Sequence, residues 1–168
     1  MNQVTFQGTP VNLSGHFPKS GIPAPDFTLC ASDLSDITQA SLKGKKVLLN
    51  IFPSIDTPVC AASVRAFHEK AAGLANVVVL CISADLPFAT GRFCAAEGID
   101  GVQSASFFRN TEFAQAYGVA IHEGPLRGLA ARATLVVDEA GVVTHAQLVE
   151  EITDEPDYAA AIAALQGE

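Results

Sequence analysis

From Lys46 onward, apolar runs short enough for strands alternate with amphipathic stretches long enough for helices. Val47–Phe52 and Val77–Ile82 are near-continuous apolar runs, the pattern of strands covered on both faces. Between them Val64, Phe67, Ala71 and Leu74 recur at steps of three, four and three. That spacing predicts a helix from Val59 to about Ala72 packed on a sheet, with Cys60 on the same stripe and its sulfur partly covered. Ser63, Arg65 and Lys70 fall off the stripe and predict a solvated face. Further helices are expected from about Pro87 to Glu97, near Glu112–Tyr117 and from about Glu155 to Leu165. Ala133–Val137 and Val142–Leu148 read as strands joined through the turn-forming Asp138-Glu139-Ala140-Gly141. Upstream, Val4–Phe6 and Val11–Leu13 flank Gln7-Gly8-Thr9-Pro10 as a hairpin, a Pro/Gly-rich loop runs from Pro18 to Pro25, and Phe27–Leu29 reads as a short strand. This order implies an α/β fold: a mixed sheet with a parallel centre, helices on its faces and antiparallel strands at both ends. With no internal repeat and no linker, residues 1–168 are expected to form one domain, of which 1–16 are an N-terminal hairpin extension.

Composition narrows the classes of partner. The 168 residues are 49% hydrophobic and 17% charged, enough for a self-sufficient core, and 10 Lys+Arg stand against 18 Asp+Glu. That negative balance argues against nucleic acid or an anionic membrane surface as partner and leaves small molecules or proteins. The first eight residues lack the basic and apolar regions of a secretory signal, and no apolar stretch reaches membrane-spanning length, so a cytoplasmic protein is expected. The cysteines stand at 30, 60, 81 and 94 and the histidines at 16, 68, 122 and 145. No pair of them has the spacing of a zinc ribbon, a CxxC redox pair or an HExxH metal site, so neither metal nor cofactor is expected.

The chemistry concentrates at Pro53-Ser54-Ile55-Asp56-Thr57-Pro58-Val59-Cys60. A strand ending in Pro, a Thr at the N-cap, a Pro at the first helical position and then a Cys place the thiol in the first turn of a helix. Unpaired backbone N–H groups and the positive end of the helix dipole stabilise a thiolate there. Cys81, inside a buried strand, reads as inert, and Cys30 as structural. Cys94 sits in a helix weakened by Gly91, which costs about 1 kcal/mol relative to Ala, and is a candidate redox partner of Cys60. Arg132 stands where the chain enters an apolar strand; a charge buried there needs an anion, and either a thiolate or a surface carboxylate would serve.

Pro53-xxx-Thr57-xx-Cys60 resembles the active-site motif of the peroxiredoxins, and the wider text resembles their thiol peroxidase subgroup. The matching stretches include Asn50 to Thr57, Ile82-Ser83-Ala84-Asp85-Leu86-Pro87-Phe88, Arg92-Phe93-Cys94, Phe108-Arg109-Asn110 and Tyr117-Gly118-Val119. The resemblance implies a thioredoxin-like fold with an N-terminal hairpin. It implies Cys60 as the peroxidatic and Cys94 as the resolving cysteine of one chain, joined in a disulfide during turnover. Thr57 and Arg132 are implied as hydrogen-bonding groups around the sulfur, Pro53 as its shield from water, hydroperoxides as substrates, thioredoxin as reductant, and a homodimer. Two other readings use the same residues. One is a hydrolase with Cys60 as nucleophile and His122 or His145 as base; the other is a peroxide-sensing switch in which Cys60 and Cys94 are oxidised without turnover.

Overall fold

The computed structural model describes residues 3–71 and 73–167. In chain order these form β1 (Gln3–Phe6), β2 (Thr9–Ser14), β3 (Thr28–Ala31), β4 (Asp36–Thr38), a 3-10 turn at Ala40–Leu42, β5 (Lys46–Ile51), α1 (Pro58–Ala71), β6 (Val77–Ser83), α2 (Pro87–Glu97), β7 (Gln103–Ser106), α3 (Glu112–Ala116), β8 (Ala120–Ile121), β9 (Ala133–Val137), β10 (Val143–Leu148) and α4 (Tyr158–Leu165). The ends of the expected domain at Met1, Asn2 and Glu168, and the expected helix end at Ala72, lie outside the described residues.

The two continuous apolar runs are adjacent parallel strands, β5 and β6, and β7 extends the parallel set. Antiparallel β9 and β10 complete one side and antiparallel β3 and β4 the other, giving the order β10-β9-β5-β6-β7-β3-β4. Because successive residues of a strand point to opposite faces, β5 and β9 divide their side chains between two cores. Val47, Leu49, Ile51, Ala133, Leu135 and Val137 pack with Phe27, Phe113 and Tyr117. Leu48, Phe52 and Val136 pack on the other face with Val64, Phe67 and Ala71 of α1 and with Ala161 and Leu165 of α4. The helical stripe buries Val64, Phe67 and Ala71, while Leu74 lies beyond the helix end and is partly buried; Cys60, expected to be partly covered, is wholly buried.

The structure departs from the sequence expectations in four places. Ser63 is fully buried where a solvated residue was expected: its hydroxyl donates to the Cys60 carbonyl at 2.7 Å and accepts from Asn50 Nδ2 at 3.2 Å, which satisfies it inside the core. The last helix starts at Tyr158 and not at Glu155, because Asp157 is its N-cap, accepting from the Ala160 N–H at 3.0 Å, and Pro156 keeps the residue before it out of the helical region. The strand expected at Phe27–Leu29 is shifted to Thr28–Ala31, where Cys30 pairs with Asp36 on one side and Ser106 on the other. Finally, β4 and β7 are too short and too polar, and β8 at two residues too short, to show a periodic signal.

The N-terminal hairpin forms as expected, but it belongs to a separate three-stranded sheet, β1-β2-β8. Its turn is Gln7-Gly8, both at positive φ (52° and 84°), as a two-residue hairpin turn of the right twist requires. The hairpin is fastened to the segment after β10 by backbone bonds at Thr5, whose N–H donates to the Glu150 carbonyl at 2.7 Å and whose carbonyl accepts from the Ile152 N–H at 2.9 Å, and by one carboxylate. Glu151 accepts from Thr5 Oγ1 (2.8 Å), the N–H groups of Gln7 (3.1 Å) and Gly8 (2.9 Å), and the N–H (3.0 Å) and hydroxyl (2.7 Å) of Thr153.

Those bonds to the ionised form, led by the Thr153 and Gly8 N–H groups, pull the Glu151 pKa from 4.5 down to about 2. A folded-state pKa below the ordinary value means that the latch contributes stability at neutral pH and loses it as pH falls from about 5 toward 2. Denaturant titrations should therefore show wild-type stability falling more steeply across that window than the stability of Glu151→Gln. Parallel pH profiles would overturn the assignment.

Candidate active site

Phe52 follows β5 and still pairs in the sheet, its N–H donating to the Ile82 carbonyl at 3.1 Å. Beyond it the loop 53–57 is held by Asp85, a residue the sequence reading quoted but gave no role. Asp85 accepts from Ser54 Oγ (2.8 Å), the Ile55 N–H (2.7 Å) and Ser83 Oγ (2.7 Å). Its signal was its place, between a buried strand end and the Pro that opens α2. Pro53 is buried in this loop. Thr57 is exposed, and its single O–H donates to the Ser54 carbonyl at 2.9 Å, so in this state it donates nothing to the sulfur. Its carbonyl accepts the first helical bond, from the Ala61 N–H at 3.0 Å. Cys60 then falls in the first turn of α1, wholly buried.

The sulfur meets one cation there. Arg132, 2% exposed, immediately precedes β9, and its Nη2 donates to Cys60 Sγ at 3.2 Å. Nε donates to the Ile152 carbonyl at 2.9 Å, and Nη1 is buried without a protein partner. The ion pairs among the described residues are Arg65–Glu97 and Arg109–Asp36, so no carboxylate neutralises Arg132. Of the two anions that its position allowed, the structure supplies the thiol. A buried guanidinium donating to a sulfur gives negative charge that develops there a charge-assisted hydrogen bond, and gives the cation a counter-charge. The free Nη1 donor can bind an oxygen that arrives beside the sulfur.

Beneath α1 and α2 a polar row crosses the sheet. Thr134 of β9, Asn50 of β5, Cys81 of β6 and Ser104 of β7 are successive register partners on four neighbouring strands. Ser63 links the row to the Cys60 carbonyl through Asn50. Asn50 Nδ2 also lies 3.9 Å from Cys81 Sγ. Cys81 is buried as expected, and burial pushes its thiol up to about 12, with the neighbouring Cys94 acting in the same direction. It is a poor nucleophile.

Cys94 is half-buried in α2, its sulfur 3.7 Å from Ser104 Oγ, and it lines an open groove of about 600 Å³ together with Gly91. All four cysteines are free thiols. The structure thus brings Cys60 and Arg132 together, sets Thr57 three residues ahead of the sulfur, and keeps Cys94 on a separate helix. The two histidines considered as bases do not join them. His122 is exposed and bonds Ser14 Oγ through Nδ1 at 2.9 Å, and His145 lies on β10, where burial lowers its pKa. Among the described residues no cluster of His, Cys, Asp and Glu could hold a metal, and no helix is long and apolar enough to cross a membrane.

Residues 19–162 match the Redoxin family, and the chain is 54% identical over 155 residues to the thiol peroxidase of Vibrio cholerae, covering 92% of this chain and 94% of that one. The chain belongs to the Redoxin family and, within it, to the thiol peroxidases. The solved structure of a peroxiredoxin-like protein from Aquifex aeolicus superimposes with a TM-score of 0.94 at 38% identity, covering 99% of this chain and 97% of that chain. The thiol peroxidase from Chromobacterium violaceum, at 24% identity and a TM-score of 0.87 over 98% and 95% of the two chains, shares the fold. The expected thioredoxin-like architecture with an N-terminal hairpin is therefore the one found.

In a redoxin chain built this way, the charge-assisted bond from Arg132 is worth about 1.5–3 kcal/mol to the anion it contacts. Arg132→Met should slow oxidation of Cys60 by peroxide at least tenfold in stopped flow. A rate equal to wild type would contradict the reading of this contact.

Proposed function

We propose that this chain is a thiol-dependent peroxidase that reduces hydrogen peroxide and organic hydroperoxides at Cys60. The observation that carries the reading is the buried Arg132 Nη2 to Cys60 Sγ contact of 3.2 Å at the start of α1. The Cys60 thiolate attacks one peroxide oxygen, an S–O bond forms and the O–O bond breaks. Sulfur is oxidised to sulfenic acid while the peroxide is reduced to water or an alcohol, the leaving oxygen taking up the proton that the thiol released. Arg132 holds the thiolate and stabilises the charge moving onto the departing oxygen. Thr57 takes part once its hydroxyl turns from Ser54 to the incoming peroxide, and Pro53 keeps bulk water from the sulfur.

Cys94 then attacks the sulfenic sulfur, forming the Cys60–Cys94 disulfide and releasing water. Cys60 is wholly buried in α1 and Cys94 half-buried in α2, so both helices unwind locally before the sulfurs meet. A dithiol partner, thioredoxin by family expectation, returns the disulfide to two thiols by exchange. The reaction suits one domain acting in the cytoplasm, where reductant keeps thiols free. A homodimer is the expected assembly.

Turnover separates an enzyme from a peroxide-sensing switch. Coupled to thioredoxin and its reductase, wild type should consume many equivalents of peroxide and Cys60→Ser none. Cys94→Ser should consume about one equivalent and then accumulate sulfinic acid as peroxide rises. Peptide mapping under non-reducing conditions should find Cys60 joined to Cys94 within one chain. A dominant link to Cys30 or Cys81, or between chains, would refute the pairing. A wild type that stops after one equivalent would refute the enzyme.

The unwinding step is testable at Gly91, where an added Cβ meets nothing within 4 Å. Gly91→Ala therefore stabilises α2 by about 1 kcal/mol without a clash. It should slow disulfide formation about fivefold and leave sulfenic acid formation unchanged. Equal slowing of both steps, or of neither, would count against unwinding of α2.

A further inference from the structure

Arg132 has no carboxylate to hold it, yet its guanidinium is kept at one sulfur. The bracing comes from the segment after β10. The Val149 N–H donates to the Arg132 carbonyl at 3.0 Å, and the Ile152 carbonyl accepts from Arg132 Nε at 2.9 Å, so one short stretch fixes both ends of the residue. That stretch is not part of the large sheet. It is held from its other side by β1, through Thr5 N–H to the Glu150 carbonyl at 2.7 Å and Ile152 N–H to the Thr5 carbonyl at 2.9 Å, and by the five bonds that Glu151 accepts from the hairpin and from Thr153. Residue 151 thus lies between two carbonyls, one fixed by the hairpin and one fixing Arg132. β1 and β2 both lie outside residues 19–162, so the Redoxin core alone does not contain this support.

We propose that Glu151 is a positioning residue for peroxide reduction: by clamping the turn of the N-terminal hairpin to residues 150–153, it holds the Ile152 carbonyl where it orients the Arg132 guanidinium onto Cys60. The proposal rests on the role given to Arg132 above. Removing the carboxylate leaves the Thr5, Gln7, Gly8 and Thr153 donors without their shared acceptor and frees the segment to shift. A displacement of even 1 Å in a group that orients reacting atoms can cost up to about a hundredfold in rate. Gln is a graded replacement, since its single carbonyl oxygen serves one set of donors while its amide N–H2 faces the other.

The test is a double-mutant cycle read by stopped-flow oxidation of Cys60 with hydrogen peroxide, well below each variant's melting temperature. Glu151→Ala should slow oxidation about tenfold and Glu151→Gln by less. In the Arg132→Met background, Glu151→Ala should produce no further slowing, because the group it positions is gone. If Arg132→Met oxidises at the wild-type rate, the underlying reading of the site fails. If Arg132→Met is slow but folded Glu151→Ala or Glu151→Gln oxidises at the wild-type rate with only a lower melting temperature, the proposal fails and Glu151 is merely structural. Slowing that multiplies fully in the Arg132→Met background also overturns it, since the effect then bypasses Arg132. Should Glu151→Ala not fold, Glu151→Gln and Thr5→Val, which deletes one donor to the clamp, carry the same cycle.

Discussion

One buried cation against one buried sulfur is the constraint around which this molecule is arranged. A guanidinium 2% exposed and without a carboxylate is tolerable only if something else compensates its charge, because an unpaired buried ion costs several kcal/mol. Cys60 is the group in contact, at 3.2 Å, and the start of α1 adds the helix dipole on the anion's side. Each element of the pair comes from a different part of the chain. α1 follows a parallel strand and presents the sulfur in its first turn, while β9 runs antiparallel beside β5 and brings in Arg132 just before its first residue. The mixed sheet is thus what allows a residue at 60 and one at 132 to meet, and an all-parallel order would deliver strand β9 from the opposite end.

The same face of the sheet bears on the local unwinding proposed for the disulfide. Elsewhere β5, β6 and β9 offer Leu48, Val79 and Val136 to the helices, but the row Thr134, Asn50, Cys81, Ser104 interrupts that apolar floor. Burying an aliphatic side chain contributes about 1.5–3 kcal/mol of adhesion, and polar residues in its place contribute less. α1 is anchored beyond its first turn by Val64, Phe67 and Ala71, so its body can stay on the sheet while the turn carrying Cys60 opens. In α2 the buried residues are Pro87 and Thr90, and Gly91 follows. Both segments that the proposed disulfide would have to move therefore lie over this polar row.

Much of this was legible in the sequence because it depended on period and punctuation. The buried central strands, the stripe of α1, the N-terminal hairpin and the thiol at a helix start all follow from local rules, though the hairpin turn is Gln7-Gly8 alone, with Thr9 and Pro10 already in β2. The site residues were harder. The residues taken alone left Arg132 between a thiolate and a surface carboxylate, and the family resemblance assigned it to Cys60. Ser63 was misplaced because a helical wheel assigns a serine to water unless a buried partner is known, and that partner, Asn50, is thirteen residues away on a strand. Asp85 and Glu151 left no periodic trace at all. Each works by collecting donors from loops distant in sequence, and backbone N–H groups look alike at every position.

That difference bears on how such a site is maintained. The Cys60–Arg132 contact needs two side chains, but holding them needs polar groups whose positions depend on loops: the Ser54 hydroxyl and Ile55 N–H on Asp85, the Ile152 carbonyl on the segment that Glu151 fastens. Asp85 pairs groups of the loop on the sulfur's side and Glu151 groups of the segment on the guanidinium's, and neither bonds Cys60 Sγ or the Arg132 guanidinium. A short loop between a strand and a helix cannot support itself by burial alone, because its backbone polar groups must be paired. A carboxylate that accepts several of those groups at once pairs them and fixes them with a single side chain. Under the positioning role proposed above, the precision of the Cys60–Arg132 contact would depend on two acidic residues that touch neither partner.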